Sequence, residues 1–289
     1  MSQKYPSRIK ALFNFLLIGF ILSNSVSCAF LGISDPSTNG QSLSKRKLSQ
    51  DDKDRYKGNY DGFSFMPNQS DPVTLPPPDM EINREVKKQI DILVSGRQRN
   101  LRDSLDRGKD HAKIINQVLI NEGVPGEFIY LAMIESGYRS NLTSPMGAAG
   151  MWQFMKSTAR LYGLKVNLFT DERKDIILAT IAASRHLKDL YEEFGDWKLV
   201  LAAYNAGPGA VQRAVKRCKS SDFWTLARMG SFSNETVFFV SKFFAINFIM
   251  ANPEGFGLDV NCLTSYKGLN HKMKLKKTTP VPSKGGSVK

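Results

Sequence analysis

Residues 128–164 read FIYLAMIESGYRSNLTSPMGAAGMWQFMKSTARLYGL and carry the strongest signals in the chain. The apolar run 129–134 leads directly to Glu135. A carboxyl group at the end of an apolar helix is partly desolvated, and desolvation raises its pKa. Such a group stays protonated near neutral pH and can donate a proton to a leaving oxygen. Taken alone, a glutamate in this position is more often an exposed helix end.

A cluster of small and aromatic residues follows Glu135. Residues 147–150 are Gly-Ala-Ala-Gly, and such small side chains let the backbone approach a ligand closely. Met151, Trp152 and Gln153 come next. Saccharides bind to aromatic faces and to directional polar groups, so we expect Trp152 and Gln153 to line a saccharide cleft. A tryptophan packed in the core is the structural alternative.

A second polar cluster lies in residues 202–207, which read AAYNAG. It places the phenol of Tyr204 and the amide of Asn205 at the end of a predicted helix. An asparagine that only caps the helix is the structural alternative. Neither cluster is decisive alone, but both supply groups that suit a glycan site.

The remaining sequence predicts an all-α fold without internal repeats. Apolar residues recur at helical spacing from Val86 onward, and no useful run alternates as a strand does. Gly123 is a natural C-cap, and Pro125 suits the start of the next helix, which contains Glu135. The later predicted helices are 157–162, 175–194, 197–205, 209–216 and 235–250.

Together these segments resemble the catalytic domain of the soluble lytic transglycosylases (family 1), and most closely the membrane-bound lytic murein transglycosylase D group. The resemblance covers residues 84–262. Ser140 and Lys156 depart from the family pattern, because proline is common at both positions, which puts loop shape in doubt. The matching motifs are Glu135-Ser136, Ser144-x-x-Gly147-Ala148-x-Gly150-Met151-Trp152-Gln153, Thr158-Ala159-x-x-Tyr162-Gly163-Leu164, Asp171-Glu172-Arg173-x-Asp175, Phe194-Gly195-Asp196-Trp197 and Ala203-Tyr204-Asn205-Ala206-Gly207.

The resemblance implies a lysozyme-like helical domain, of the goose-type lysozyme/SLT kind, with a glycan-binding cleft. It further implies a lytic transglycosylase that cleaves the N-acetylmuramic acid–N-acetylglucosamine bond without water, using Glu135 as acid and then as base. No metal or cofactor is implied. The implied substrate-binding residues are Ser144 and Gln153 to orient sugar groups, Gly150, Met151 and Trp152 along the cleft, Tyr204 to position Glu135 or the N-acetyl group, and Asn205 to hold the cleft wall.

Two other functions are compatible with this sequence. A lysozyme-type hydrolase on the same fold would use a second carboxylate, but Asp171, Glu172 and Asp175 are better explained as surface or helix-capping residues. A non-catalytic wall-binding scaffold would keep the cleft. A nucleic-acid-binding protein fits less well, because the lysines are spread along the chain and concentrated in a tail.

The N-terminus predicts export to the periplasm or cell envelope. A basic segment precedes the uncharged, mostly apolar residues 11–26, as in a signal peptide spanning 1–27; a retained anchor helix is the alternative. Cys28 is a candidate for lipidation, which would make the protein an outer-membrane lipoprotein. The preceding residues match a lipobox only loosely, so ordinary cleavage after Ser25 or Ser27 competes.

Composition completes the expected organisation. Residues 28–82 predict a flexible tether, 83–262 the catalytic domain, and 263–289 a basic disordered tail. The net charge of +13 favours an anionic partner, such as cell wall or an acidic membrane surface, although it also fits simple solubility. We expect a monomer that acts on peptidoglycan strands. Cys218 and Cys262 are either a disulfide pair or two separate thiols.

Overall fold

The computed structural model describes residues 47–55, 74–96 and 98–258. In these ranges the regular structure is helical, apart from isolated bridges such as Thr143 with Ala149, which confirms the all-α prediction. No helix in the described ranges is long and apolar enough to cross a membrane. The α-helices are α1 (Gln50–Arg55), α2 (Arg84–Ser95), α3 (Gln98–Asn121), α4 (Ile129–Ser136), α5 (Lys156–Leu161), α6 (Ile176–Phe194), α7 (Trp197–Ala206), α8 (Pro208–Cys218), α9 (Phe223–Arg228) and α10 (Asn234–Ala251).

The centre of the domain is α10, whose sequence is apolar on nearly every side. A helix of this kind is stable only when it is buried all round. It packs against α2, α4 and α7. Its first turn is closed by Ser233, whose side chain accepts a hydrogen bond from the N–H of Thr236. The short helix α4 therefore lies against a fixed and buried neighbour.

Local sequence chemistry sets both ends of α4. Pro125 precedes a 3-10 turn, Gly126–Phe128, that continues directly into the helix. At the other end Gly137 adopts a left-handed conformation with φ 62°, and its N–H donates to the carbonyl of Met133 at 2.8 Å. The predicted apolar run is buried against α3 and α10. These features place Glu135 in the last turn of α4.

The acidic residues that lead into α6 and α7 cap these helices, as predicted for the first of them. Asp175 accepts from the N–H of Leu178 at 2.8 Å. Asp196 accepts from the N–H groups of Lys198 and Leu199. A side-chain cap of this kind contributes roughly 0.5–2 kcal/mol to helix stability. Asp171 pairs with the guanidinium of its neighbour two residues later, consistent with a structural role.

Part of the predicted 28–82 tether is docked on the domain. In α1, Lys53 Nζ lies 2.5 Å from Glu172 Oε2. Arg185 Nη1 lies 3.1 Å from Asp52 Oδ2. These four side chains are largely buried, and their partners are more than a hundred residues apart in sequence. The tether prediction is wrong here because local composition gives no sign of such distant ion pairs.

The stretch 74–82 is also part of the domain. The N–H of Leu75 donates to the carbonyl of Gly123 at 2.8 Å. The indole N–H of Trp197 donates to the carbonyl of Pro76 at 2.7 Å. Backbone groups of this proline-containing segment are thus hydrogen-bonded to the domain. The tether prediction fails for this stretch as well.

Several predictions fall outside the described residues. They concern the signal peptide 1–27, the lipidation of Cys28, the basic tail 263–289 and the thiol of Cys262. Cys218 forms no disulfide with another described residue; its sulfur lies 3.1 Å from Ser231 Oγ.

Candidate active site

Glu135 combines burial with partial access to solvent. Desolvation raises the pKa of its carboxyl group from 4.5 to about 8. The positive charge of Lys242 lowers this pKa, and the negative charge of Glu235 raises it. The residue nevertheless keeps part of its surface exposed. The desolvation expected from the apolar run is present, so Glu135 is protonated near neutral pH in a place that a ligand can reach.

Ser136 fixes the backbone next to Glu135. Its hydroxyl donates to the carbonyl of Met151 at 2.8 Å and accepts from the N–H of Arg139 at 3.0 Å. Ser136 is buried, so these bonds are protected from water. They tie the end of α4 to the loop 144–154, and the acid therefore sits at a defined distance from that loop.

Tyr204 is near enough to Glu135 for the charge of the acid to raise the pKa of the phenol. Its hydroxyl donates to the carbonyl of Trp152 at 2.8 Å. Desolvation raises the pKa of this phenol well above 10, and the charges of Glu135 and Tyr162 raise it further. Tyr204 therefore remains a neutral hydrogen-bond donor, and it joins α7 to the loop.

The loop 144–154 is shaped by Arg173, which the sequence analysis named only as a member of a motif. Arg173 donates from Nη1 to the carbonyls of Gly147 and Phe154, at 2.7 and 2.9 Å. Gly150 has φ 81°, and a Cβ there would lie 1.7 Å from the carbonyl oxygen of Arg173. Glycine is therefore required at position 150 for packing within the protein, and not for the ligand approach that we expected.

Trp152 and Met151 are core residues. The exposed fraction of Trp152 is 0%, and that of Met151 is 1%. The indole N–H of Trp152 donates to Thr180 Oγ1 at 3.0 Å. Neither face of the indole is open to a sugar, so the predicted cleft-lining role of both residues gives way to a structural one. The carbonyl of Trp152 is the group that faces Tyr204.

Three other predicted residues make internal contacts at the same loop or beside it. Ser144 accepts from the N–H of Ala148, and the amide of Gln153 donates to the carbonyl of Gly150. The amide oxygen of Asn205 accepts from Thr236 Oγ1 at 3.0 Å and so joins α7 to α10. All three side chains stay partly exposed. Their roles toward a sugar remain predictions.

Three hydrogen-bonded side chains next to Tyr204 were not predicted from the sequence. Tyr162 donates to Asp189 Oδ2 at 2.8 Å and lies 3.0 Å from Nδ1 of His186. The imidazole ring packs 5.3 Å from the ring of Tyr204. Burial lowers the pKa of His186 to about 4, so this imidazole is neutral at physiological pH. Tyr162 lies in a recognised motif, but nothing in the sequence connects that motif to His186.

Glu235 and Lys242 were also missed as neighbours of the acid. Both lie on α10, about a hundred positions after Glu135, and both charges act on its carboxyl group. Burial raises the pKa of Glu235 as well. The described residues hold no cluster of three or more metal-binding side chains. Two carboxyl groups and one ammonium group thus govern the protonation of this site.

A family model covers the part of the chain that holds most of these residues. The sequence model for the transglycosylase SLT domain matches residues 114–227, an interval that holds Glu135, the 144–154 loop and Tyr204. Residues 114–227 are thus similar to the transglycosylase SLT domain. Outside the matched interval, Glu235 and Lys242 come from the helix that packs against it.

Curated relatives are similar to about half of this chain. The membrane-bound lytic murein transglycosylases D of Escherichia coli K12 and O6:H1 are each 39% identical over 140 residues, which covers 47% of this chain and 30% of the relative. The chain therefore spans less than a third of their length. The X-ray structure of an inactive mutant of the lytic transglycosylase Slt from Pseudomonas aeruginosa aligns with TM-score 0.41 and 22% identity, over 50% of this chain and 24% of that one.

Proposed function

We propose that the SLT domain is a peptidoglycan lytic transglycosylase in which Glu135 is the acid and then the base. The observation that carries this proposal is the carboxyl group of Glu135, with its pKa near 8, at the end of α4 and beside Tyr204. The names of the curated relatives describe enzymes that act on murein, which supports the same substrate class.

In the first step Glu135 donates its proton to the oxygen between N-acetylmuramic acid and N-acetylglucosamine. A general acid works best when its pKa lies near the working pH, and burial brings Glu135 to that value. The bond from C1 of the muramic acid to that oxygen breaks. The substrate's own N-acetyl group, or the surrounding charges, would stabilise the positive charge that develops at C1.

In the second step the carboxylate of Glu135 removes the proton from the C6 hydroxyl of the same sugar. The C6 oxygen bonds to C1 and closes a 1,6-anhydro ring. Glu135 is protonated again, and water is not consumed. Because the site is desolvated, the carboxylate is a stronger base than in water, so one residue suits both steps. Tyr204 would keep its proton throughout and help to position the carboxyl group or the N-acetyl group.

A lysozyme-type hydrolase is the second candidate, and Glu235 is the observation that favours it. Its charge acts on Glu135, so a second carboxyl group lies near the acid, and a hydrolase would need such a group to activate water. The two candidates differ in their products. The transglycosylase leaves 1,6-anhydromuramoyl ends, and the hydrolase leaves reducing ends.

Digestion of purified peptidoglycan with the full-length protein, followed by mass spectrometry, tests both candidates. We expect anhydro ends from the parent protein and at least a ~10²–10⁴-fold loss of product with Glu135→Gln. Products with reducing ends would show that the protein is a hydrolase and not a transglycosylase. If the parent protein releases no glycan, or if Glu135→Gln releases it as fast as the parent, the catalytic role is wrong and the scaffold function takes its place.

The cellular setting is part of the proposal. We infer an exported envelope protein with a signal peptide at 1–27, a membrane link through Cys28, a domain that takes in the docked segments 50–55 and 74–82 together with 83–262, and a basic tail at 263–289. The description of the relatives as membrane-bound supports envelope association. The intact mass of the mature protein, compared with that of Cys28→Ser, tests the lipid: an acyl mass must be present in the parent and absent from the variant.

A further inference from the structure

Two arginine side chains converge at the end of α4, two residues beyond Glu135. A Cβ placed on Gly137 would lie 2.8 Å from Arg107 Nη2 and 3.1 Å from Arg139 Nη1, so these two nitrogens lie within about 6 Å of each other. Arg107 comes from α3, and Arg139 follows α4. Gly137 has no side chain, and its left-handed conformation leaves both guanidinium groups room to approach.

The acceptors that hold these arginines are neutral. Arg107 donates to the carbonyl of Gly137 and to Ser104 Oγ, both at 2.9 Å. Arg139 donates to the carbonyl of Ser136 at 3.0 Å. Arginine can stabilise a helix end by bonding to its last carbonyls, but that role does not require two cations at one point. Each guanidinium also carries several more N–H donors than these bonds use.

The charge at this point is unbalanced. Among the ion pairs of the described residues, none includes Arg107 or Arg139. Burial and the charge of Arg139 lower the pKa of Arg107, and the charge of Asp103 offsets only part of this effect. Two cations held close together favour the binding of an anion between them. A planar carboxylate fits this arrangement, because a guanidinium can offer it two parallel hydrogen bonds.

A third cation, Lys242, lines a pocket next to the residue that binds Arg107. Ser104, which binds Arg107, lines a pocket together with Met133 and Lys242. The charge of Lys242 also reaches the carboxyl group of Glu135. Ser104 thus connects the arginine pair to a pocket whose lining includes a cation that acts on the acid.

We propose that Arg107 and Arg139 bind a carboxylate carried by the lactyl ether of N-acetylmuramic acid. This inference rests on the proposed function and adds a specificity site to it. The glycan backbone is neutral, and the acidic groups of the polymer hang from the lactyl ether of the sugar whose C1 reacts beside Glu135. The carboxylate is either that of the lactyl group itself or one in the attached peptide stem.

Binding to a variant without turnover tests the proposal. Full-length Glu135→Gln protein is titrated by calorimetry with three tetrasaccharides: a muropeptide dimer with stems, the same glycan after amidase treatment, and chitotetraose, which has no carboxylate. We expect Arg139→Gln, added to this background, to raise the Kd for a carboxylate-bearing ligand about tenfold and to leave chitotetraose unchanged. Arg139→Lys should weaken the binding of this ligand less than Arg139→Gln does, and Arg107→Gln added to Arg139→Gln should weaken it further.

The controls separate the possible results. Arg228→Gln removes the same charge from an exposed site on α9 and should change none of the three Kd values. Loss confined to the stem-bearing ligand identifies a stem carboxylate, and loss confined to the amidase-treated glycan identifies the lactyl carboxylate, which is free only after the stem has been removed. Equal loss for both ligands means that the arginines bind either carboxylate. The proposal is overturned if Arg139→Gln affects chitotetraose equally or affects no ligand, or if the background protein shows no preference for carboxylates. Arg139 is exposed, so its variant tests the site even if Arg107 variants fail to fold. Turnover by the parent protein separately decides the proposed function.

Discussion

The hydroxyl of Tyr204 donates a hydrogen bond to the main-chain carbonyl of Trp152 at 2.8 Å. This bond joins two motifs that lie about fifty residues apart in sequence. The indole of Trp152 is buried and anchored to Thr180, so the carbonyl is held in place from behind. The pKa of the phenol is raised partly by the charge of Glu135, which places Tyr204 beside the acid. Trp152 therefore serves the site through its backbone and its packing.

Tyr204→Phe tests this relationship. The variant removes one hydroxyl and leaves the carbonyl of Trp152 without this donor. We expect the free energy of unfolding to fall by about 1–3 kcal/mol, because a buried acceptor loses its partner. We expect kcat on peptidoglycan to fall at least tenfold with little change in KM, because the group that positions Glu135 is lost. Chemical denaturation and product analysis give the two values. An unchanged kcat would remove Tyr204 from the site.

Gly150→Ala and Gly147→Ala separate backbone strain from collision. Both glycines have φ above 80°, so alanine is strained at either position. Only at Gly150 would the new Cβ collide with backbone, 1.7 Å from the carbonyl oxygen of Arg173; at Gly147 no atom lies within 4 Å. We expect a cost of about 1 kcal/mol for Gly147→Ala and several kcal/mol for Gly150→Ala. Equal melting temperatures for the two variants would contradict this packing.

The pKa of Glu135 also predicts how stability depends on pH. The pKa is near 8 in the folded protein and near 4.5 when exposed, so between these values the folded state holds a proton that the unfolded state has lost. Stability must therefore fall as pH rises from about 4.5 to 8, by on the order of a few kcal/mol. Glu135→Gln carries no such charge. Parent and variant should melt at similar temperatures at pH 4, and the variant should melt higher at pH 9. Parallel curves over that range would show that Glu135 is not buried as described.

Local chemistry allowed much of the fold to be predicted from the sequence. Asp175 caps the start of α6, and this cap depends only on the next three residues. Gly123 lies two residues after the end of α3, as expected for a residue that terminates a helix. The raised pKa of Glu135 followed from the apolar run before it. These features are encoded within a few positions of one another, so pattern alone reveals them.

The predictions that failed depend on residues distant in sequence. Trp152 lies in a motif that suggested glycan binding, but its indole is buried and donates to Thr180 of α6. Lys53 lies in a polar segment, but Glu172 fixes it to the domain. The sequence gives no distance between such residues. For the same reason the sequence did not identify Glu235 as a charge that acts on Glu135.

Glu235→Gln and Lys242→Met form a matched pair that tests this electrostatic control. The charge of Glu235 raises the pKa of Glu135, and that of Lys242 lowers it. Removing the carboxylate should therefore lower the pKa of Glu135 and move the basic limb of the pH–rate profile to lower pH. Removing the ammonium should move the same limb to higher pH. Initial rates of anhydromuropeptide release between pH 5 and 9 measure both shifts.

The same pair distinguishes the two candidate reactions. In the transglycosylase Glu235 only adjusts the acid, so Glu235→Gln keeps substantial activity and still forms anhydro ends. In the hydrolase Glu235 activates water, so its loss removes activity at every pH. Shifts of both variants in one direction would mean that their charges act through the fold and not on Glu135. The opposite signs are thus the decisive feature, because a general loss of stability cannot produce them.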